Sequence, residues 1–205
     1  MQVKQKVFIL KKIRYGEADL IVQALAPTGA RLSLYARAAL KSRKRFGGGV
    51  LEPTHYVHAL YDEKQGRGGD TLMPLREASL IEGFEGLRAD YARLETALGF
   101  LQLVSDVSRE GDVGSSDLFN LLGNALRACE TSTALSRLRT HFQAKLLAGQ
   151  GMLDHNREEA TLLQAPIYEH ACALREDQDW ASVAARIDRA LREYLDHLPD
   201  RSRRD

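Results

Sequence analysis

Apolar and polar positions alternate along the first third of the chain. Val7 and Ile9 interleave with Phe8 and Leu10 in a run that ends at the Tyr15-Gly16 turn signal, which predicts a strand. Leu20 to Leu25 reads as a second strand. Pro27-Thr28-Gly29-Ala30 is a turn sequence, because proline presets φ and glycine accepts positive φ. Arg31 to Ala36 then resumes the alternation, with Leu32 and Leu34 on one face, and completes a hairpin. After an interruption from Arg37 to Gly49, Thr54 to Tyr61 and Thr71 to Ile81 supply two further strand-like segments around a polar turn, Asp62 to Asp70. Four or five short strands in about 80 residues predict a small barrel.

Beyond Gly83 the period changes. Leu94, Leu98, Leu101 and Val104 recur at helical spacing, as do Leu118, Leu122, Ala125 and Cys129, and then Leu135, Leu138, Phe142 and Leu146. Ser115 or Ser116 is placed to cap the second of these helices, and Gly149 and Gly151 to end the third. Asp179 is placed to cap a last helix carrying Val183, Ile187, Leu191, Tyr194 and Leu195. Such stripes pack as an antiparallel helical domain. Asp154 to Asp177 is polar, poorly periodic and broken by Pro166, so short helices or loop are expected there. The tail from Arg201 to Asp205 is expected to fray.

A chain of 205 residues suits two modest domains better than one core. Its apolar runs exclude a membrane span: Ala97 to Val104, interrupted by Gly99 and Gln102, falls far short of the roughly 20 residues a bilayer requires. Lys4, Lys6, Lys11 and Lys12 leave only Val7 to Leu10 as an apolar run, too short for a signal peptide, and a cytoplasmic address is expected. Cys129 and Cys172 lie among apolar neighbours in helix-like segments and read as buried free thiols. The net charge of +1 conceals an asymmetry. Up to Arg76 there are 14 basic and 6 acidic side chains, and the first 50 residues hold 11 basic ones against Glu17 and Asp19 alone. An excess this one-sided points to a polyanion partner.

Particular residues then carry a resemblance. In order and spacing, Tyr15-Gly16-Glu17-Ala18-Asp19-Leu20-Ile21-Val22, Gly29 through Arg37, Ser42-Arg43-Lys44-Arg45-Phe46-Gly47-Gly48-Gly49 and Leu51-Glu52-Pro53 resemble the N-terminal domain of RecO recombination mediators. Phe84-Glu85-Gly86-Leu87-Arg88-Ala89-Asp90-Tyr91 and Phe142-Gln143-Ala144-Lys145-Leu146-Leu147-Ala148-Gly149-Gln150-Gly151 are similar to helical segments of that family. The resemblance implies an α+β multidomain chain: a five-stranded OB-fold β-barrel over residues 1–82, then an all-α helical domain over residues 83–205. It also implies a cytoplasmic, nucleoid-associated DNA repair protein that binds single- and double-stranded DNA and anneals strands. Its partners would be RecR and the C-terminal tail of the single-strand-binding protein SSB, with RecA helped onto SSB-coated DNA. Many members place a four-cysteine zinc module after the helix corresponding to Phe142 to Gly149. Here Asp154 to Asp177 has no paired cysteines, so neither metal nor any other cofactor is expected.

DNA binding needs cations that can follow a phosphate backbone, with aromatics as stacking platforms. Lys41, Arg43, Lys44 and Arg45 supply four cations in five residues, on what the following Gly47 to Gly49 suggest is a flexible loop. Lys11, Lys12 and Arg14, with Arg31 and Arg37, extend the patch, although strand alternation forbids Lys11 and Lys12 from facing the same groove. Tyr15, Tyr35 and Phe46 are candidate stackers, or else members of the barrel core and rim. In the acidic helical half, Arg127, Arg137, Arg139 and Lys145 are candidates to rim a groove for an acidic peptide ending in an aromatic residue, such as the SSB tail. No nucleophile, base and orienting group occur as a set, Gly47-Gly48-Gly49 lacks a P-loop ending, and His55 and His58 have an odd spacing that points them to opposite faces of a strand. The expected function is non-enzymatic. An RNA-associated OB-fold adaptor, and an enzyme with its site in Asp154 to Asp177, remain the alternatives.

Overall fold

The first strand, β1 (Gln2–Tyr15), runs well beyond its apolar centre because both halves of a barrel share it. Gln2 to Phe8 pair antiparallel with β4 (Tyr56–Asp62), and Phe8 to Tyr15 pair antiparallel with β2 (Asp19–Leu25). A register shift between Ile9 and Lys11 marks a bulge, which adds the bend such a shared strand needs. β3 (Arg31–Ala36) pairs with β2, and a short parallel contact to β5 (Met73–Glu82) closes the barrel in the order β1-β2-β3-β5-β4, the OB-fold arrangement. The computed structural model describes residues 1–63, 72–109, 116–153, 157–174 and 179–198, so Thr71 and most of the expected Asp62 to Asp70 turn lie outside the described residues.

Alternation fills the barrel interior with Val7, Ile9, Val22, Leu34, Val57, Ala59 and Leu75, all nearly inaccessible to solvent. The segment expected to be a flexible loop is ordered instead. A 3-10 turn, Ala39–Lys41, leads into the four-residue helix α1 (Arg43–Phe46) and a second 3-10 turn, Gly47–Gly49. The reason is apolar: Ala39, Phe46, Val50 and Leu51 belong to the barrel's core cluster and are buried with it. Burying a side chain such as Phe46 contributes about 1.5–3 kcal/mol. Ser42 caps α1 by accepting the Arg45 N–H, and Gly48 and Gly49 hold φ of 68° and 70°, which glycine adopts without strain.

After Glu82 the chain is helical: α2 (Glu85–Arg88), α3 (Tyr91–Val107), α4 (Ser116–Thr131), α5 (Leu135–Gly149), α6 (Arg157–Gln164), a 3-10 turn at Ile167–Glu169 and α7 (Trp180–Asp196). Asp179 caps α7 by accepting the N–H groups of Ala181 and Ser182, as its position predicts. Ser115 and the tail from Arg201 lie outside the described residues. The α4, α5 and α7 stripes face inward, but α3 is rotated from its expected stripe: Ala97, Phe100, Leu101 and Val104 are buried, while Leu98 is 43% exposed. Cys129 is buried, and desolvation pushes its thiol up to about 11. Cys172 is exposed, contrary to expectation, because it stands in the turn after Glu169 rather than on a helix.

The change from strand to helix falls at Glu82, yet the second core cluster crosses it. Phe8, Leu10 and Leu25, on the outer wall of the barrel, pack with the buried residues of α3, α4, α5 and α7. Phe8 stacks on Tyr56 at 4.6 Å between centroids and meets Phe119 at 4.8 Å. Gly123 permits this approach, since a Cβ there would lie 2.9 Å from the Phe8 ring.

Candidate nucleic-acid interface

The register of β1 and β2 sorts the predicted cations, because residues opposite one another in a pair share a face. Lys11 stands opposite Gln23 on the outer face and is exposed. Lys12 stands opposite the buried Val22, on the interior side where the barrel ends, and forms an ion pair with Glu52. Lys11 and Lys12 therefore point apart, and Arg14, opposite Leu20, shares the side of Lys12 and is exposed. Beside them lies a cleft of about 250 Å³ lined by Lys12, Ser42, Arg43, the three glycines and Glu52.

Around α1, Arg37, Lys41, Arg43 and Lys44 are exposed and have no ion pair with any described residue. Arg45 differs. Its guanidinium donates to the Arg37 carbonyl at 2.9 Å and to Ser42 Oγ at 3.3 Å, and lies 5.1 Å from the Phe46 ring centre. It holds together the segment from Ala39 to Leu51, the plug, whose Ala39, Phe46, Val50 and Leu51 are buried with the barrel core. Arg31 is also engaged: its Nη1 donates to the Ser105 carbonyl at 3.1 Å and its backbone N–H to the Arg109 carbonyl at 2.9 Å. The start of β3 thus ties the barrel to the end of α3, since its register partner Leu25 already belongs to the shared core.

Of the three aromatics, Phe46 is buried in the plug and offers no face to a base. Tyr15 is 56% exposed and meets the half-buried Tyr35 edge-on, with ring centres 6.0 Å apart. The Tyr35 hydroxyl donates to Asp19, whose other oxygen accepts the Ala38 N–H at 2.6 Å. The Tyr35 hydrogen bond, then that of Ala38, holds the Asp19 carboxyl below its ordinary range, and Asp19 raises the Tyr35 phenol in turn. The sequence places Asp19 in the Tyr15-to-Val22 motif and makes it one of two acids in a basic stretch, but assigns it no role; those two features are the available signal.

The four cations proposed for the helical half do not converge. Arg127 makes a two-pronged contact with Glu82 and lies 6.0 Å from the Phe84 ring centre. Arg137 donates to the Ala171 carbonyl and lies 5.1 Å from the Trp180 ring centre. Arg139 is exposed on α5. Only Lys145 lines a groove, a cleft of about 320 Å³ whose walls include Leu121, Asn124, Gln150, Ile167 and Tyr168. Its Nζ donates to the Leu163 carbonyl at 2.6 Å, and burial lowers its pKa. His55 is buried with Nδ1 3.2 Å from the Val50 carbonyl, whereas His58 sits on the outer side of β4. Among the described residues no three His, Cys, Asp or Glu side chains are grouped to hold a metal, and no helix is long and apolar enough to cross a membrane.

Comparison with known proteins agrees with this architecture. Residues 1–84 match the family described as Recombination protein O N terminal. The chain is 31% identical over 151 residues to the DNA repair protein RecO of Maridesulfovibrio salexigens, which is 74% of this chain and 59% of that protein. It is 31% identical over 152 residues to that of Anaeromyxobacter dehalogenans, or 74% of this chain and 58% of the relative. The protein of the same name from Syntrophus aciditrophicus is 34% identical over 144 residues, covering 70% of this chain and 54% of its own. These matches span between half and three fifths of the relatives' length. An OB barrel in closed order, a family match over that barrel and similarity that continues past it together place the chain in the RecO family.

Proposed function

We propose that this chain is a non-enzymatic DNA-binding mediator that anneals complementary strands and helps RecA load onto SSB-coated single-stranded DNA. The observation that carries the reading is the end of the barrel where Arg14, Arg37, Lys41, Arg43 and Lys44 are exposed without a described ion-pair partner, with the exposed ring of Tyr15 following Arg14; Lys11, on the outer face, would extend the patch around the barrel wall. Cations free of protein partners release counterions when they meet phosphates, and a tyrosine face accepts any base. Binding is then salt-dependent and nearly indifferent to sequence, on single and double strands alike.

The groove beside Lys145 is the second surface of this reading. Its walls set Leu118, Leu121, Ile167 and Tyr168 beside Asp117 and the already hydrogen-bonded Lys145, so it suits the aromatic terminus of a peptide such as the SSB tail rather than its acidic run; RecR and, indirectly, RecA complete the partner set that family membership suggests.

The test is annealing of complementary strands pre-coated with SSB, without nucleotide, alongside anisotropy of a labelled single strand across a salt series. Annealing with a falling affinity in salt is expected. Failure to bind or anneal DNA while binding RNA of the same sequence would replace the mediator with an RNA-associated adaptor, and nucleotide turnover would make it an enzyme.

A further inference from the structure

Besides Glu52, which pairs with Lys12, a second carboxylate stands at the proposed phosphate-binding end of the barrel. Asp19 opens β2, opposite Tyr15, and one of its oxygens accepts the Tyr35 hydroxyl while the other accepts the Ala38 N–H. Ala38 has φ 53° and ψ 31°, the left-handed region, which is strained for a residue with a Cβ and persists only where neighbours enforce it. The turn is held at two more points: the Leu40 N–H donates to the Ala18 carbonyl at 3.0 Å, and Arg45 grips the Arg37 carbonyl, one peptide from Ala38. Asp19 is thus joined through Ala38 and Arg37 to the plug that carries Lys41, Arg43 and Lys44, and through Tyr35 to the aromatic pair.

We infer that Asp19 is a positioning residue for nucleic-acid binding, a clamp that fixes Tyr35 and the Arg37-Ala38 turn so that the cations of the plug and the Tyr15–Tyr35 pair form one surface. This rests on the proposed function of the barrel. It predicts a sign opposite to simple electrostatics, in which removing a negative charge from a phosphate-binding surface tightens binding.

Two variants of the full chain remove the same charge and separate the two accounts. Asp19→Asn keeps an oxygen for the Ala38 N–H and offers an amide donor that the Tyr35 hydroxyl can accept. Asp19→Ala keeps neither. Anisotropy of a labelled single strand across a salt series should show Asp19→Ala about fivefold weaker, with a log-log slope shallower by about 0.7 to 1.4, equivalent to one or two lost phosphate contacts. Asp19→Asn should bind as well as the parent or somewhat better, with the parent's slope. Equal affinity of the two variants, whether both gain or both lose, overturns the inference. Should Asp19→Ala fail to fold by circular dichroism, Tyr35→Phe removes half of the clamp while keeping the ring; it should bind about twofold weaker, and unchanged binding refutes the clamp. If the parent protein binds no strand, it is the proposed function that falls; if the parent binds and the variants agree with each other, only the clamp does.

Discussion

The barrel end and the helical region differ in how most of their candidate cations are used. At the barrel end Arg14, Arg37, Lys41, Arg43 and Lys44 are exposed and lack a described ion-pair partner, whereas on the helices Arg127, Arg137 and Lys145 each donate to a protein oxygen and Arg139 alone of the four candidates is exposed without one described. Arg31 and Arg45, although in the basic half, follow the helical pattern. A count of charges by segment therefore overstates the binding surface. What distinguishes a phosphate contact from a structural cation is whether folding has already supplied its partner.

The largest expected effect tests whether the two regions are separable at all. Phe8→Ala removes a ring packed on Tyr56 and Phe119 across the boundary and should destabilise the protein by about 3–5 kcal/mol. Because the core is shared, far-ultraviolet helix signal and near-ultraviolet tyrosine signal should melt earlier together. A shift in only one of them would make the regions independent units.

Acid should act mainly on the helical side. His141 on α5 is fully buried, and desolvation, with the Lys145 ammonium adding to it, holds its pKa at about 4 rather than 6.5. Above about pH 6.5 the ring is neutral in both folded and unfolded chains and contributes no pH dependence. As pH falls from there towards 4, the unfolded chain takes up a proton that the fold excludes, so stability declines by up to about 3 kcal/mol. His141→Gln should flatten that limb of a stability profile measured with urea between pH 4 and 7; an unchanged limb would assign it to other groups.

Next in size is the plug. Replacing Lys41, Arg43 and Lys44 with alanine should shallow the single-strand salt slope by about 2 and reduce affinity several-fold at low salt, with little change in melting temperature. Arg45→Ala should do the reverse, lowering melting temperature more than the slope, because its guanidinium is committed to Arg37 and Ser42. Equal behaviour of the four cations in anisotropy and melting would erase the distinction drawn between them.

The smallest effect is expected on the helices. Arg127→Ala breaks a partly exposed pair with Glu82, worth about 1 kcal/mol or less, and should leave DNA affinity within about twofold. A larger loss of affinity would extend the binding surface past the barrel.

Much of this was legible in the residues themselves. Alternation located the strands, because a strand buried on one side must place apolar groups at every second position, and helical stripes with the Asp179 cap located α4, α5 and α7. The motif from Tyr15 to Pro53 carried the family. The plug was hidden because four residues of α1 are too few to show a period, and only the open barrel interior explains why Phe46 turns inward. Leu98 reads as core by spacing alone, yet the neighbouring helices cover the adjacent face of α3. The fate of the cations was equally beyond sequence: the partners of Arg31, Arg127 and Arg137 lie 74, 45 and 34 residues away. Periodicity fixes which side chains share a face, a local property of the backbone. What that face meets, and which long polar side chain finds an oxygen there, is decided only when distant segments pack.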